Sequence, residues 1–414
     1  MLDSYVLLLR QVDDFAIAVE KEHIAYHIVA EIDKHLRIRI KCLGRVTLFN
    51  GMDVIQSRHY IKIHCGSYLR KALRNLGWLL SPETHRKLYP IPYPADHKYG
   101  KEIDLAEPPN TEEERIKLSK EMGINYRQVI GAFIWPMIKA RPDIYYHTTK
   151  LSQYMANPAR IHYECLKQIG TYLAHTLDDG IYFWRDSPRM DLDDHPLPQL
   201  HPDTHPLAEL AYETHPGDLC AFADSDWGTC KKTRNAITGA VIMLAGGAIG
   251  YKMKIQKTIA HSSTEAEWVA ACEVGKMILF FRSILEDLQI PQHHATIMYE
   301  DNRGALFMAN AQQTSQRTRH IDIKLFALID WVQEDLMILE TIPTSDNCSD
   351  AMTKALAKTL FYRHTDTIMG RRVPQSIVLF KETIKTEKNE EGRCSEENEE
   401  GRCSDVYHDQ SMGG

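Results

Sequence analysis

The second half of the chain predicts an α/β layered fold. Short apolar strand patterns alternate with longer helical ones from residue 219 to residue 361, a glycine pair at Gly246-Gly247 splits two apolar runs, and acidic residues stand where several of these elements begin or end. In order, a strand is expected at Leu219–Ala223, then a hairpin of Val241–Ala245 and Ala248–Tyr251 around the glycines. A helix follows at Glu265–Leu288, a strand at Thr296–Tyr299, a helix at Ile321–Leu336, a strand at Met337–Ile342 and a helix at Asp350–Phe361.

The first half is more broken. Tyr5–Leu9 and Phe15–Val19 flank Arg10-Gln11-Val12-Asp13-Asp14, a hairpin with two carboxylates at its tip. Ile24, Ile28, Ile32 and Leu36, four apart, give the stripe of an amphipathic helix. Strands at Val46–Phe49, Met52–Ile55 and Tyr60–Ile63 precede a helix near Ser67–Leu76. The Pro- and Tyr-rich stretch 81–109 has no steady period and reads as a connector. Helical patterns return near Tyr126–Ala140, interrupted at Trp135-Pro136, and near Ile161–His175.

Bulk properties narrow the class. The chain has 414 residues, 43% hydrophobic and 25% charged, enough for two or three units with a real core. Its net charge of −7 argues against holding nucleic acid by bulk electrostatics alone, because phosphate contacts need clustered Lys and Arg. Residues 384–414 carry four basic and nine acidic groups, so most of the excess is in the tail and the body is near neutral. That tail repeats Asn-Glu-Glu-Gly-Arg-Cys-Ser at 389–395 and 398–404, too short a repeat for a solenoid. Nine scattered cysteines with no CxxC pair, and no leader-like segment, suggest a reducing intracellular setting, cytoplasmic or nuclear. The uncharged stretch Gly239–Tyr251 falls well short of the roughly 20 residues of a membrane helix, so no membrane partner is expected. His-Pro occurs four times between residues 195 and 216, but spacings of six, four and ten match no metal motif and the prolines stiffen the backbone, so 186–216 reads as a linker.

Four acids define the candidate chemistry. Asp224 follows the first strand, Glu267 opens the long helix, Asp301 follows the 296–299 strand and Asp350 opens a late helix. Singly, acids at element ends are usually caps. Brought together they would repel and raise one another's pKa unless cations neutralised them, and oxygen-only ligation suits Mg²⁺ or Mn²⁺. Two such ions roughly 3.5–4 Å apart can drive phosphodiester hydrolysis. Asp226 and Glu265 are the rivals for the first two places.

Five ordered motifs decide between caps and a metal site: Ala-Asp-Ser-Asp-Trp at 223–227, Ser-Ser-Thr-Glu-Ala-Glu-Trp at 262–268, Glu-Asp-Asn at 300–302, Arg-Thr-Arg-His-Ile-Asp-Ile at 317–323, and Asp-Asn-Cys-Ser-Asp-Ala-Met-Thr-Lys-Ala-Leu at 346–356. In that order they resemble the ribonuclease H region of copia-type retrotransposon Pol polyproteins. The resemblance implies a ribonuclease H-like mixed sheet with flanking helices, and metal-binding catalytic roles for Asp224, Glu267, Asp301 and Asp350 with two Mg²⁺ or Mn²⁺ ions. It implies an RNA–DNA hybrid as substrate, with other polyprotein fragments as further partners. Arg317, Arg319, His320 and Lys324 would offer a phosphate-contacting edge. Cellular ribonucleases H often place a His near the last acid; none lies close before Asp350.

The N-terminal half carries a weaker likeness. Gln11-Val12-Asp13-Asp14 resembles the Tyr-x-Asp-Asp hairpin of reverse transcriptases, with Gln11 where the aromatic is usual, and Arg141-Pro142-Asp143-Ile144 is similar to a segment of the connecting region. The organisation expected is therefore a truncated reverse transcriptase palm and thumb-like remnant at 1–110, a helical connection region at 111–185, the His-Pro linker at 186–216, the ribonuclease H-like domain at 217–371 and an acidic tail at 372–414. Polymerisation needs a further upstream Asp, so Asp13 and Asp14 are expected to be vestigial. The alternative to a ribonuclease H is an inactive remnant or a passive nucleic-acid binder.

Overall fold

In the computed structural model the described residues are 5–36, 40–79, 89–94, 102–201, 217–227, 234–257, 259–310, 323–374 and 376–377. The chain opens with β1 (Val6–Gln11) and β2 (Asp14–Val19), an antiparallel hairpin closed by Val12-Asp13, with Gln11 opposite Asp14. Val12 takes a φ of 52°, an uncommon conformation for a β-branched residue. Helix α1 (Glu22–His35) follows, but of its apolar stripe only Ile24 is buried.

A four-stranded antiparallel sheet comes next: β3 (Leu48–Phe49), β4 (Met52–Gln56), β5 (Tyr60–His64) and, arriving much later in sequence, β6 (Gly180–Trp184). Between its last two strands come, among the described residues, the helices α2 (Gly66–Asn75), α3 (Glu112–Met122), α4 (Tyr126–Lys139), α5 (Tyr145–Ser152) and α6 (Arg160–His175). Helix α3 has the reciprocal cap that its sequence encodes. Glu114 N–H donates to Thr111 Oγ1, Thr111 N–H donates to Glu114 Oε2, and Gly123 ends the helix at φ 69°. Helix α4 runs through Pro136 rather than stopping at it, and stops instead at Ala140. Behind it, Arg141 is wholly buried. Its guanidinium forks onto Asp143 (Nη2 to Oδ2 2.7 Å, Nε to Oδ1 2.9 Å) and donates to Thr176, while the Tyr172 hydroxyl donates to Asp143 Oδ2 at 2.8 Å.

The second sheet has the order β11-β10-β7-β8-β9. Its strands are β7 (Cys220–Asp226), β8 (Ile237–Leu244), β9 (Gly247–Ile255), β10 (Thr296–Glu300) and β11 (Met337–Thr341). The pairs β10–β11 and β10–β7 are parallel, and β7–β8 and β8–β9 antiparallel. This is the mixed sheet with flanking helices that the resemblance implies. Parallel neighbours need crossovers, supplied by α7 (Ser263–Asp287) before β10 and by α8 (Arg303–Asn310) and α9 (Ile323–Gln333) before β11. After β11 come a single turn, α10 (Asp350–Thr353), and α11 (Lys358–Ile368), where the sequence pattern predicts a single helix.

Alternation decides what each face of this sheet meets. Ala221, Ala223 and Met298 turn towards α7, packing against Trp268, Ala271 and Ile278. Phe222, Val241 and Tyr299 turn the other way, into a core shared with Leu69, Phe133 and Leu166 of the first half. Strand β6 carries the seam. Tyr182 N–H donates to Met369 O, Trp184 N–H to Ala245 O, and the Trp184 indole N–H to Gly370 O at 2.7 Å. The β8–β9 turn is Ala245-Gly246, both at positive φ (52° and 77°), not the Gly246-Gly247 pair expected. Gly247 instead makes room for the seam, since a Cβ there would stand 2.2 Å from Tyr182 O. No helix of the described residues is long and apolar enough to cross a membrane.

Candidate active site

Asp224 sits inside β7 rather than after it, because the ladder with β8 continues to Asp226, which pairs with Ile237. It shares the face of Phe222 and lies opposite Gly239. That glycine admits α10: a Cβ on it would meet Ser349 O and Thr353 Cγ2 at 2.7 Å. So seated, α10 brings the Thr353 hydroxyl to Asp224 Oδ2, donating at 2.5 Å, and brings Asp350, its first residue, to the same place. The loop before α10 is anchored by Asn347, whose Nδ2 donates to Ala223 O at 2.8 Å.

Glu267 comes from α7. The helix begins at Ser263 with Ser262 as its cap, so Glu267 falls in the second turn, on the buried side. Its rival Glu265 is used as a cap, accepting from His261 N–H at 2.7 Å. Asp301 follows the last residue of β10 and accepts from the Thr344 hydroxyl at 2.7 Å. Among the described residues, Asp224, Glu267 and Asp301 form a group whose carboxylate oxygens lie within 4.8 Å of one another. Asp350 stands beside Asp224, its Oδ1 ion-paired with Lys354 Nζ at 2.8 Å.

Crowding buried carboxylates favours their neutral forms. Burial, then Asp224 and Asp301, pushes Glu267 up to about 9. Burial, then Asp224, pushes Asp350 up to about 8. Asp224 is raised chiefly by burial, against the opposing pull of Lys354 and Thr353. Glu300, the residue before Asp301, is also part of this environment. It is wholly buried and raised well above the carboxylate range by burial and then by Glu267. In the sequence Glu300 reads only as the start of the Glu-Asp-Asn motif after the 296–299 strand, although strand alternation alone would have turned it towards α7.

The donor set fits a hard divalent cation: every donor is an oxygen, and Glu267 Oε2 and Glu300 Oε2 are buried without a hydrogen-bond partner. Such oxygens are costly unless a proton or a cation meets them.

Over 361 residues, 87% of its length, the chain is 24% identical to the retrovirus-related Pol polyprotein from transposon TNT 1-94 of Nicotiana tabacum. Over 251 residues it is 28% identical to the corresponding polyprotein from transposon RE1 of Arabidopsis thaliana. The chain is thus similar to plant-transposon Pol polyproteins over much of its length. It spans 24% of the length of the first relative and 15% of the second. Among solved structures, a ribonuclease H1 isolated from compost aligns with 33% of this chain and 93% of its own, at 14% identity and a TM-score of 0.26. No family model matches the chain.

The remaining candidates are placed differently. Asp13 and Asp14 stand at the tip of an exposed hairpin, held to the next sheet by Gln11 Nε2 donating to Asn50 Oδ1. Arg317, Arg319 and His320 lie outside the described residues, as do Asp322 and the Lys324 side chain. A histidine does reach the last acid, but from after it in sequence. His364 on α11 is buried with Nε2 4.0 Å from Asp350 Oδ2, and burial, then Arg372 and Arg363, depresses it to about 3. It is therefore a neutral wall at neutral pH.

Proposed function

We propose that residues 217–371 act as a ribonuclease H, hydrolysing the RNA strand of an RNA–DNA hybrid with two Mg²⁺ or Mn²⁺ ions held by Asp224, Glu267, Asp301 and Asp350. The observation that carries this is the convergence of carboxylates from β7, α7 and the end of β10 within 4.8 Å, with buried oxygens left unpartnered. Bound cations would supply an activated water and charge stabilisation at the leaving oxygen. The protein's own residues hold the geometry. Thr353 fixes the rotamer of Asp224, Thr344 that of Asp301, and Lys354 Nζ is paired with Asp350. The 2′-hydroxyl is the feature by which the RNA strand would be told from DNA.

The module boundaries expected from the sequence belong to the same proposal, with 111–185 and 217–371 sharing one core. Asp13 and Asp14 are proposed to be inactive in polymerisation, since among the described residues no third carboxylate joins them. One observation favours the second reading, a catalytically inert nucleic-acid binder: the Lys354 ammonium already occupies a cation's place on Asp350.

The test is cleavage of an end-labelled RNA–DNA hybrid in Mg²⁺ by the full chain, Asp224→Asn and Glu267→Gln. Cleavage by the wild type and its loss in both variants supports the proposal. Equal cleavage by all three marks a contaminant, and hybrid binding without cleavage by the wild type establishes the second reading.

A further inference from the structure

We propose that Glu300 is a fifth carboxylate of this site, adding an oxygen to the cation-binding set from the α7 side of the sheet. The inference rests on the metal-site reading above and goes beyond the four acids that the motifs assign. Three observations carry it.

The first is position. The β7–β10 register pairs Met298 with Ala221 and Tyr299 with Phe222. Alternation then puts Glu300 on the face of Met298, covered by α7, the helix that carries Glu267. The second is fixation. Glu300 Oε1 accepts from Asp301 N–H at 3.1 Å and Asn302 N–H at 3.2 Å, so the carboxylate is tied to the turn that presents Asp301. The third is the state of its other oxygen. Glu300 Oε2 has no hydrogen-bond partner although the residue is 0% exposed, and Glu267 Oε2 shares that condition on the opposing helix. A carboxylate held by one oxygen to the turn of Asp301, with the other bare and buried on the face covered by the helix of Glu267, is arranged as a ligand is before its cation arrives. A strand residue with only a packing role would be apolar here, like its neighbours Met298 and Ala223 on the same face.

The experiment is Mn²⁺ titration of the chelator-stripped full chain at one fixed pH, read by loss of the free-ion electron paramagnetic resonance signal. It is run on the wild type, Glu267→Gln and Glu300→Gln. The Gln variant keeps an acceptor for Asp301 and Asn302 N–H and removes the charge. Glu300→Gln is expected to weaken Mn²⁺ binding on the order of tenfold or more, with a native circular dichroism spectrum. Unchanged affinity in a folded Glu300→Gln overturns the proposal, leaving Glu300 as a buried acid that holds a proton. Should Glu300→Gln fail to fold, Glu300→Asp decides. It keeps the charge and withdraws the oxygens by one methylene, so weakened binding supports the assignment and unchanged binding ends it. The parent reading is separable: a wild type that binds no Mn²⁺ ends both, whereas a defect in Glu267→Gln alone ends only this one.

Discussion

Gly239→Ala places a single methyl between the sheet and the turn that carries Asp350. The added Cβ would stand 2.7 Å from Ser349 O and from Thr353 Cγ2, and 3.1 Å from Met352 Cβ. Ordinary contact begins near 3.4 Å, so α10 must withdraw by about 0.7 Å. The Ser349 contact is backbone, so no side-chain rotation relieves it. Overpacking of this kind costs about 1–3 kcal/mol, and stretching the Thr353–Asp224 hydrogen bond adds about 1 kcal/mol. A loss of about 2–4 kcal/mol in a urea melt is expected, and the effect on chemistry should be larger in proportion. Withdrawal moves Asp350 and frees Asp224 together, and a misplacement near 1 Å costs roughly 100-fold in rate. Cleavage of a labelled hybrid at saturating Mg²⁺ measures it, with Gly131→Ala as control because nothing lies within 4 Å of a Cβ there. A Gly239→Ala variant that cleaves like the control would refute the account of how α10 is seated.

Other outcomes follow from the same contacts. Gly370→Ala should destabilise by about 3–4 kcal/mol, from the left-handed φ of 72°, a Cβ 2.3 Å from Tyr182 O and loss of the Trp184 and Tyr182 hydrogen bonds. Gly123→Ala, at φ 69° with open space, should cost only about 1 kcal/mol, so equal urea midpoints for the two would discount the seam. Arg141→Met strands Asp143 in the core and should cost about 3–5 kcal/mol. Adding Asp143→Asn should recover part of it, and no recovery in thermal unfolding would point to lost packing instead. In chelator, stability should fall as pH rises from about 6 to 9. Glu267 and Asp350 are raised to about 9 and about 8, so the folded state holds protons that the unfolded chain has already released, and this stabilisation is lost as pH climbs through those values. A urea midpoint that rises across that range in chelator would contradict the shifts.

The sequence makes visible what depends on local pattern. The alternation of strands and helices is readable, as is the spacing of the acids between elements, although the 265–288 helix starts earlier, at Ser263 behind a Ser262 cap. What it does not show depends on a partner far along the chain. The 219–223 strand reads short because its apolar run ends, yet Asp224 and Ser225 remain in the ladder and are buried, Asp224 beneath α10. Asp350–Phe361 reads as one helix, but Lys354 turns extended at φ −146°, ending α10 where it meets β8. Gly247 looks like a turn residue because its need for space comes from Tyr182, 65 positions earlier. Two further elements carry signals of their own. Thr111 and Glu114 announce a capping box, and Gly-Ile-Tyr-Phe-Trp at 180–184 is a run of strand formers. The apolar stripe of α1 does mark a helix but has little to cover it among the described residues, only Ile24 being buried.

A site built from so many acids has to fold before any cation reaches it, and the structure indicates how that is managed. Lys354 sits one residue after Thr353 and four after Asp350, so the same turn that presents an acid also brings a cation and a hydroxyl to the cluster. Protons do the rest: burial and neighbouring carboxylates raise Glu267 to about 9 and Asp350 to about 8, which favours bound protons in the cation-free protein. Cation binding must then displace those protons and push the Lys354 ammonium aside, so affinity is set by competition as much as by the ligands. The consequence is measurable. Mg²⁺ binding followed in buffers of different ionisation enthalpy should release protons, about one to two per protein at pH 7 and fewer towards pH 9. Lys354→Met should leave the acids without their internal counter-charge, raising the dependence of folding on Mg²⁺. If cation uptake releases no protons at pH 7, the carboxyls are already ionised in the free protein, and something other than protonation holds them together.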